Sequence, residues 1–96
     1  MRASVVIRSK DEADRLRLTL TSLAHQTEAA QVVVVNDGSS DHTRDVIAEM
    51  QGQMDLAPIH HDRPAGRSGA ANAGARVATG EIVLFLDGDT LAAPDL

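Results

Sequence analysis

Apolar residues recur along this chain in two rhythms that alternate. "SVVI" at 4–7, "QVVVVND" at 31–37 and "EIVLFL" at 81–86 are short runs dominated by branched side chains, and "APIHH" at 57–61 is a weaker one. Continuous runs of this length, bounded by turn residues, predict strands buried on both faces. Between them the period changes. "DEADRLRLTLTSLAHQ" at 11–26 places apolar residues at 13, 16, 20, 23 and 24, and "HTRDVIAEMQG" at 42–52 places Val46, Ile47 and Met50 on one stripe. Both patterns predict helices, the second capped by Asp41 and ending near Gly52. After the predicted loop "DRPAGRSG" at 62–69, "AANAGARVAT" at 70–79 predicts a third helix, small enough in its side chains to pack close to a sheet and ended by Gly80.

The predicted order is β-α-β-α-β-α-β. Consecutive parallel strands need crossover connections, so this order predicts an α/β fold: a Rossmann-like parallel sheet with helices on both faces. Such sheets bind ligands outside the carboxyl ends of their strands. The segments expected there are "RSKDE" at 8–12, "NDGSSD" at 36–41 and "DGDT" at 87–90, which brings the charged and polar residues to one rim.

Composition narrows the function. The 96 residues make at most one small domain. A formal net charge of -5 argues against a general nucleic-acid partner, whose phosphates call for a basic excess. There is no cysteine, so any metal must be held by oxygen or imidazole. The apolar runs are far short of a bilayer span, and no signal segment opens the chain. Phe85 is the single aromatic residue.

Asp87 and Asp89 stand two apart where the fourth strand should emerge. Residues so spaced on extended backbone point to the same side, and two carboxylates held close repel unless a cation joins them. Mg²⁺ or Mn²⁺ would suit that oxygen pair and could also meet a diphosphate. Asp-Gly is equally ordinary turn chemistry at a strand end. His60 and His61 are adjacent on a strand and face opposite ways, which speaks against a shared metal.

Taken together, "SVVIRSKDEADRLRLTLTSLAHQT", "VVVVNDGSSDHT" and "GRSGAANAGARVATGEIVLFLDGDT" resemble, in order and spacing, the successive blocks of the family 2 glycosyltransferases, which have the GT-A fold. The resemblance covers nearly the whole chain. It implies that residues 1–96 are the N-terminal nucleotide-sugar-binding part of such an enzyme, ending soon after its Asp-X-Asp motif. The nucleotide-sugar contacts it implies are Ser9, Glu12, Asn36, Asp37, Arg67 and Asp87, with Asp89 and Asp87 on the Mg²⁺ or Mn²⁺. The implied donor is a UDP- or GDP-sugar, and the implied acceptor is a hydroxyl of unknown identity. Transfer would be metal-dependent and inverting, and the general base would lie downstream of these residues. The 96 residues alone are therefore expected to bind donor without turnover. With no signal segment, the expected location is cytoplasmic, and an exposed edge at the fourth strand is expected to favour self-association.

The chain departs from the family pattern in two places. Arg8, Ser9, Lys10 and Asp11 stand where the family carries a Pro-Thr-Tyr-Asn-like run, with Glu12 retained, and this loses an aromatic stacking surface. Asn36 stands where the family has the first acid of Asp-Asp-Gly-Ser; an amide both donates and accepts, and so could read a uracil or guanine edge. Arg67 takes the place of the basic residue that approaches the diphosphate. The altered first block leaves open a non-catalytic α/β interaction or regulatory module. A nucleotidyltransferase ranks lower, because "RSKDE" has no glycine.

Overall fold

The structure, a computed structural model, describes residues 3–25 and 31–87. Its elements are β1 (Ala3–Ser9), α1 (Ala13–Ala24), β2 (Gln31–Asp37), α2 (Thr43–Gln51), β3 (Leu56–His61), α3 (Gly66–Val77) and β4 (Ile82–Asp87). The four strands form one parallel sheet in the order β3-β2-β1-β4. This is the α/β, Rossmann-like arrangement that the alternating pattern predicts.

Strand alternation divides the core into two layers. Val5, Ile7, Val32, Val34 and Leu56 pack with Ala13, Leu16, Leu20 and Leu23 of α1 and Val46, Ile47 and Met50 of α2. On the opposite face Val6, Val33 and Val35 pack with Ala70 of α3. The valine run of β2 is buried throughout because it has helices on both sides. Alpha-helix α3 can lie close to the sheet because Gly74 meets Val6; a Cβ there would stand 2.2 Å from a Val6 methyl group.

The starts of α1 and α3 depart from the pattern for one physical reason. The residues preceding α1, α2 and α3, Glu12, His42 and Ala65, make no side-chain cap bond. Asp41 caps α2 as the sequence predicts, and the caps of α1 and α3 come from distant residues. Asp41 accepts from the Thr43 N–H at 3.0 Å and from the Ala13 N–H at 3.1 Å, so one carboxylate serves the first turns of both α2 and α1. The first turn of α3 is met by Asp37 at the end of β2, whose carboxylate accepts from Ala65 and Gly66 N–H groups. That distant cap starts α3 at Gly66 instead of Ala70, and Arg67, Ser68 and Gly69 are helical where the sequence predicts loop. The helix also ends at Val77, ahead of Gly80, whose N–H donates to Ser4 Oγ at 2.7 Å.

Beta-strand β4 lies at the sheet edge beside β1, with Ile82, Leu84 and Phe85 exposed. Among the described residues no helix is long and apolar enough to cross a membrane.

Candidate functional site

The chain runs β1, β2, β3 outward in one direction and then returns to place β4 on the other side of β1. The strand order therefore reverses between β1 and β4, and sheets of this kind bind ligands at the carboxyl ends of the strands flanking such a reversal. A cleft of about 240 Å³ lies there, lined by Val6 and Arg8 of β1, Arg67 and Ala71 of α3, and Phe85 and Leu86 of β4. Asp87 closes β4 as the register partner of Arg8. Asp89, the other expected metal ligand, lies outside the described residues.

Both arginines of this cleft are placed by Asp37. The side chain of Asp37 is fully buried and its two oxygens take four donors. Oδ2 accepts from Arg8 Nε at 2.9 Å and from Gly66 N at 3.1 Å; Oδ1 accepts from Ala65 N at 2.7 Å and faces His61 Nδ1 at 3.0 Å. Burial alone would raise the pKa of this carboxyl, but the Ala65 N–H, His61 and Arg8 outweigh it and hold it down at about 2. An ionised, saturated carboxylate thus anchors Arg8 directly, and it anchors Arg67 through the first turn of α3. Asp37 is expected from the sequence to touch the nucleotide, yet all its lone pairs face protein donors.

A second cleft of about 380 Å³ lies beyond β2, between the start of α2 and the end of β3, with Asn36, Ser39, Arg44, Asp45, His61 and Asp62 among its walls. Asn36 is 4% exposed. Its Oδ1 accepts from Ser39 N at 3.3 Å, and its Nδ2 lies 3.1 Å from His60 Nδ1. The loops after β1 and β2 are clasped here. Asp11, in left-handed backbone at φ 53°, accepts from Ser40 N at 2.7 Å and donates its own N–H to Ser39 Oγ at 3.0 Å. The Ser40 N–H is the largest cause holding the Asp11 carboxyl below its ordinary range.

The remaining expected contacts are spread along the same rim. Ser9 is buried at the end of β1 as the register partner of Asn36, and its Oγ has no hydrogen-bond partner among the described residues. Glu12 and Arg67 are exposed at the starts of α1 and α3. Strand order and register bring Ser9, Asn36, Asp37 and Asp87 to one end of the sheet. The two histidines diverge as alternation requires, His60 to Asn36 and His61 to Asp37. Among the described residues no group of three His, Cys, Asp or Glu side chains could hold a metal. Sequence reasoning gave His60, His61 and Asp11 no role at the site. Their partners are 24 to 29 positions away, and they meet only because β3 pairs with β2 and the loops after β1 and β2 lie side by side.

Known proteins are similar to this chain in sequence and fold. The description of glycosyl transferase family 2 matches residues 4–96. An uncharacterised glycosyltransferase of Nostoc sp. is 40% identical over 98% of this chain and 30% of its own length. The validoxylamine A glucosyltransferase of Streptomyces hygroscopicus subsp. jinggangensis is 39% identical over 95% of this chain and 22% of its own length. Among solved structures, S. aureus TarS 1-349 in complex with UDP-GlcNAc superposes with a TM-score of 0.91 at 28% identity, over 98% of this chain and 28% of that one. The mannosyltransferase PcManGT from Pyrobaculum calidifontis, in complex with GDP-Man and Mn²⁺, superposes with a TM-score of 0.87 at 29% identity, over 96% and 29% of the two chains. The chain thus spans under a third of the length of these relatives. With the family description matched along nearly its whole length, and with the fold of solved glycosyltransferases, the chain belongs to glycosyltransferase family 2.

Proposed function

We propose that residues 1–96 form the donor-binding part of an enzyme that transfers a sugar from a UDP- or GDP-sugar to an acceptor hydroxyl, with inversion at the sugar carbon. The observation that carries this reading is the cleft at the strand-order reversal, where one buried carboxylate places two arginines beside the end of β4. Its relatives support the donor class: the TarS structure holds UDP-GlcNAc, and the PcManGT structure holds GDP-Man. The nucleotide would lie across the strand ends, its base towards Asn36, Ser9 and Glu12 and its ribose towards Asp87. Arg67 and Arg8 would meet the diphosphate, whose charge a guanidinium matches in both sign and geometry.

A hard divalent cation suits the oxygen donors of Asp87 and Asp89, and the backbone of β4 delivers Asp87 to the ligand-binding rim. Bound there, Mg²⁺ or Mn²⁺ would offset charge building on the departing diphosphate. The residues of this chain would bind the donor, orient it and hold its phosphates. Removing the acceptor proton needs a general base, which we place outside residues 1–96. These residues alone would then bind donor without turning it over. A nucleotide-sugar substrate also suits a cytoplasmic location.

The test is calorimetric titration of UDP and GDP, with and without Mn²⁺, into the wild-type chain and Asp89→Ala. Binding that requires Mn²⁺ and weakens at least about tenfold in the variant is the expected result; binding indifferent to both metal and substitution would refute the metal-dependent reading. The exposed apolar side chains of β4 also favour pairing with a second copy. Size-exclusion chromatography should show concentration-dependent dimers that Phe85→Lys disperses, and a monomer at every concentration would count against them.

A further inference from the structure

Asn36 and His60 are register partners on β2 and β3, and their side chains are linked. The amide of Asn36 offers two N–H groups and two lone pairs. One lone pair takes the Ser39 N–H, which can only donate, and this fixes Oδ1 on that side and Nδ2 towards His60. His60 Nδ1 must then accept, so the imidazole is neutral with its proton on Nε2. A second proton on the ring would set Nδ1–H against the Asn36 NH₂ group. Turning the amide over would satisfy the ring and set NH₂ against the Ser39 N–H instead. Either way one bond is lost, and the amide no longer has a single preferred orientation.

The surroundings keep the ring neutral. Burial first, and then the positive charge of Arg44 from α2, lower the pKa of His60. Asp41 and His42 from the loop before α2, Asp45 of α2, and His61 and Asp62 at the end of β3 also line the adjoining cleft. We infer that His60 is a positioning residue for base recognition: neutral, it locks the Asn36 amide and leaves one N–H and one Oδ1 lone pair in a fixed order. This rests on the reading that Asn36 faces the nucleotide base. A locked amide tells apart bases that present donor and acceptor in opposite orders, as uracil and cytosine do. An unlocked amide turns to suit either.

Two measurements on the 96-residue chain test this. Between pH 4.5 and 8, the side-chain amide resonance of Asn36 should titrate with His60 in wild type and stay constant in His60→Gln and His60→Leu. As the pH falls from 7.5 to 4.5, UDP binding should weaken more in wild type than in His60→Gln, by about a further five- to tenfold, the worth of one hydrogen bond. His60→Gln, whose side-chain oxygen accepts without titrating, should bind as tightly as wild type at pH 7.5 and keep only the pH dependence that the terminal phosphate of UDP brings, whose last proton is taken up at about pH 6. His60→Leu should bind weakly throughout, with a narrowed ratio of UDP to CDP affinity. A pH dependence in His60→Gln equal to that of wild type overturns the inference, as does His60→Leu binding with wild-type affinity and selectivity. If no nucleotide binds while the amide resonance still titrates, the lock exists, but the donor reading and the recognition role of His60 fall together.

Discussion

Replacing Asp37 with alanine should destabilise the chain by about 3–5 kcal/mol, the usual cost of removing one partner from a buried ion pair. The substitution strands four donors at once: Arg8 Nε, the His61 ring, and the Ala65 and Gly66 N–H groups. Arg8 and His61 can partly turn to solvent, but the two backbone groups are fixed at the start of α3 and cannot. Asp37→Asn keeps the shape and half the accepting capacity, so its loss should be smaller, about 2–3 kcal/mol. Urea unfolding with an unchanged slope would measure both, and an Asp37→Ala midpoint equal to that of wild type would show that the four contacts are energetically idle. Stabilities of domains this size are commonly roughly 5–15 kcal/mol, so the alanine variant should be close to unfolding.

Acid should reproduce part of this loss without any substitution. The Asp37 carboxyl sits at about 2 in the folded chain against an ordinary 3.8, so the folded state holds its proton less tightly than the unfolded state. Its contribution, about 2 kcal/mol, is complete above the ordinary value and is lost as the pH falls from there through about 2. In Asp37→Asn that part of the acid transition should be missing.

The contrast between Asp37 and its neighbours shows what the sequence could and could not reveal. The burial of Val32 to Val35 follows from four branched residues in a row, and the faces of α1 and α2 from the spacing of Leu16, Leu20, Val46 and Met50. These are local patterns, and the fold class rests on them. The start of α3 is different, because Ala65 carries no capping group and the cap arrives from Asp37, 28 positions earlier. Asn36 and Asp37 differ in the same way. Both stand at the rim as expected, but alternation turns one towards α2 and the other towards α3, where only the register with β3 supplies His60 and His61 as partners. Family resemblance marks positions that approach a nucleotide. It marks Asn36 but carries no signal for its link to His60, because neither their spacing nor their residue types form a motif.

Gly38→Ala should cost about 2–4 kcal/mol and should also impair donor binding. Gly38 has φ 74°, in the left-handed region where an L side chain costs roughly 1–2 kcal/mol. An added Cβ would meet Pro64 N at 2.6 Å, Pro64 Cδ at 2.7 Å and the Arg63 carbonyl carbon at 2.9 Å. Two of these three atoms are backbone and the third is a proline ring, so no rotamer change relieves the contact, and overpacking typically adds about 1–3 kcal/mol. The strand end and the loop before α3 must therefore move apart. That movement pulls the Ala65 and Gly66 N–H groups away from Asp37, which directly follows Asn36 on β2 and directly precedes the substituted residue. The Arg67 turn would shift with them, so the loss of UDP affinity should exceed what the lower folded fraction explains. Thermal unfolding gives the stability term, and titration at a temperature where the variant is fully folded isolates the binding term. Full affinity in a folded Gly38→Ala chain would mean that the placement of α3 does not govern the donor site.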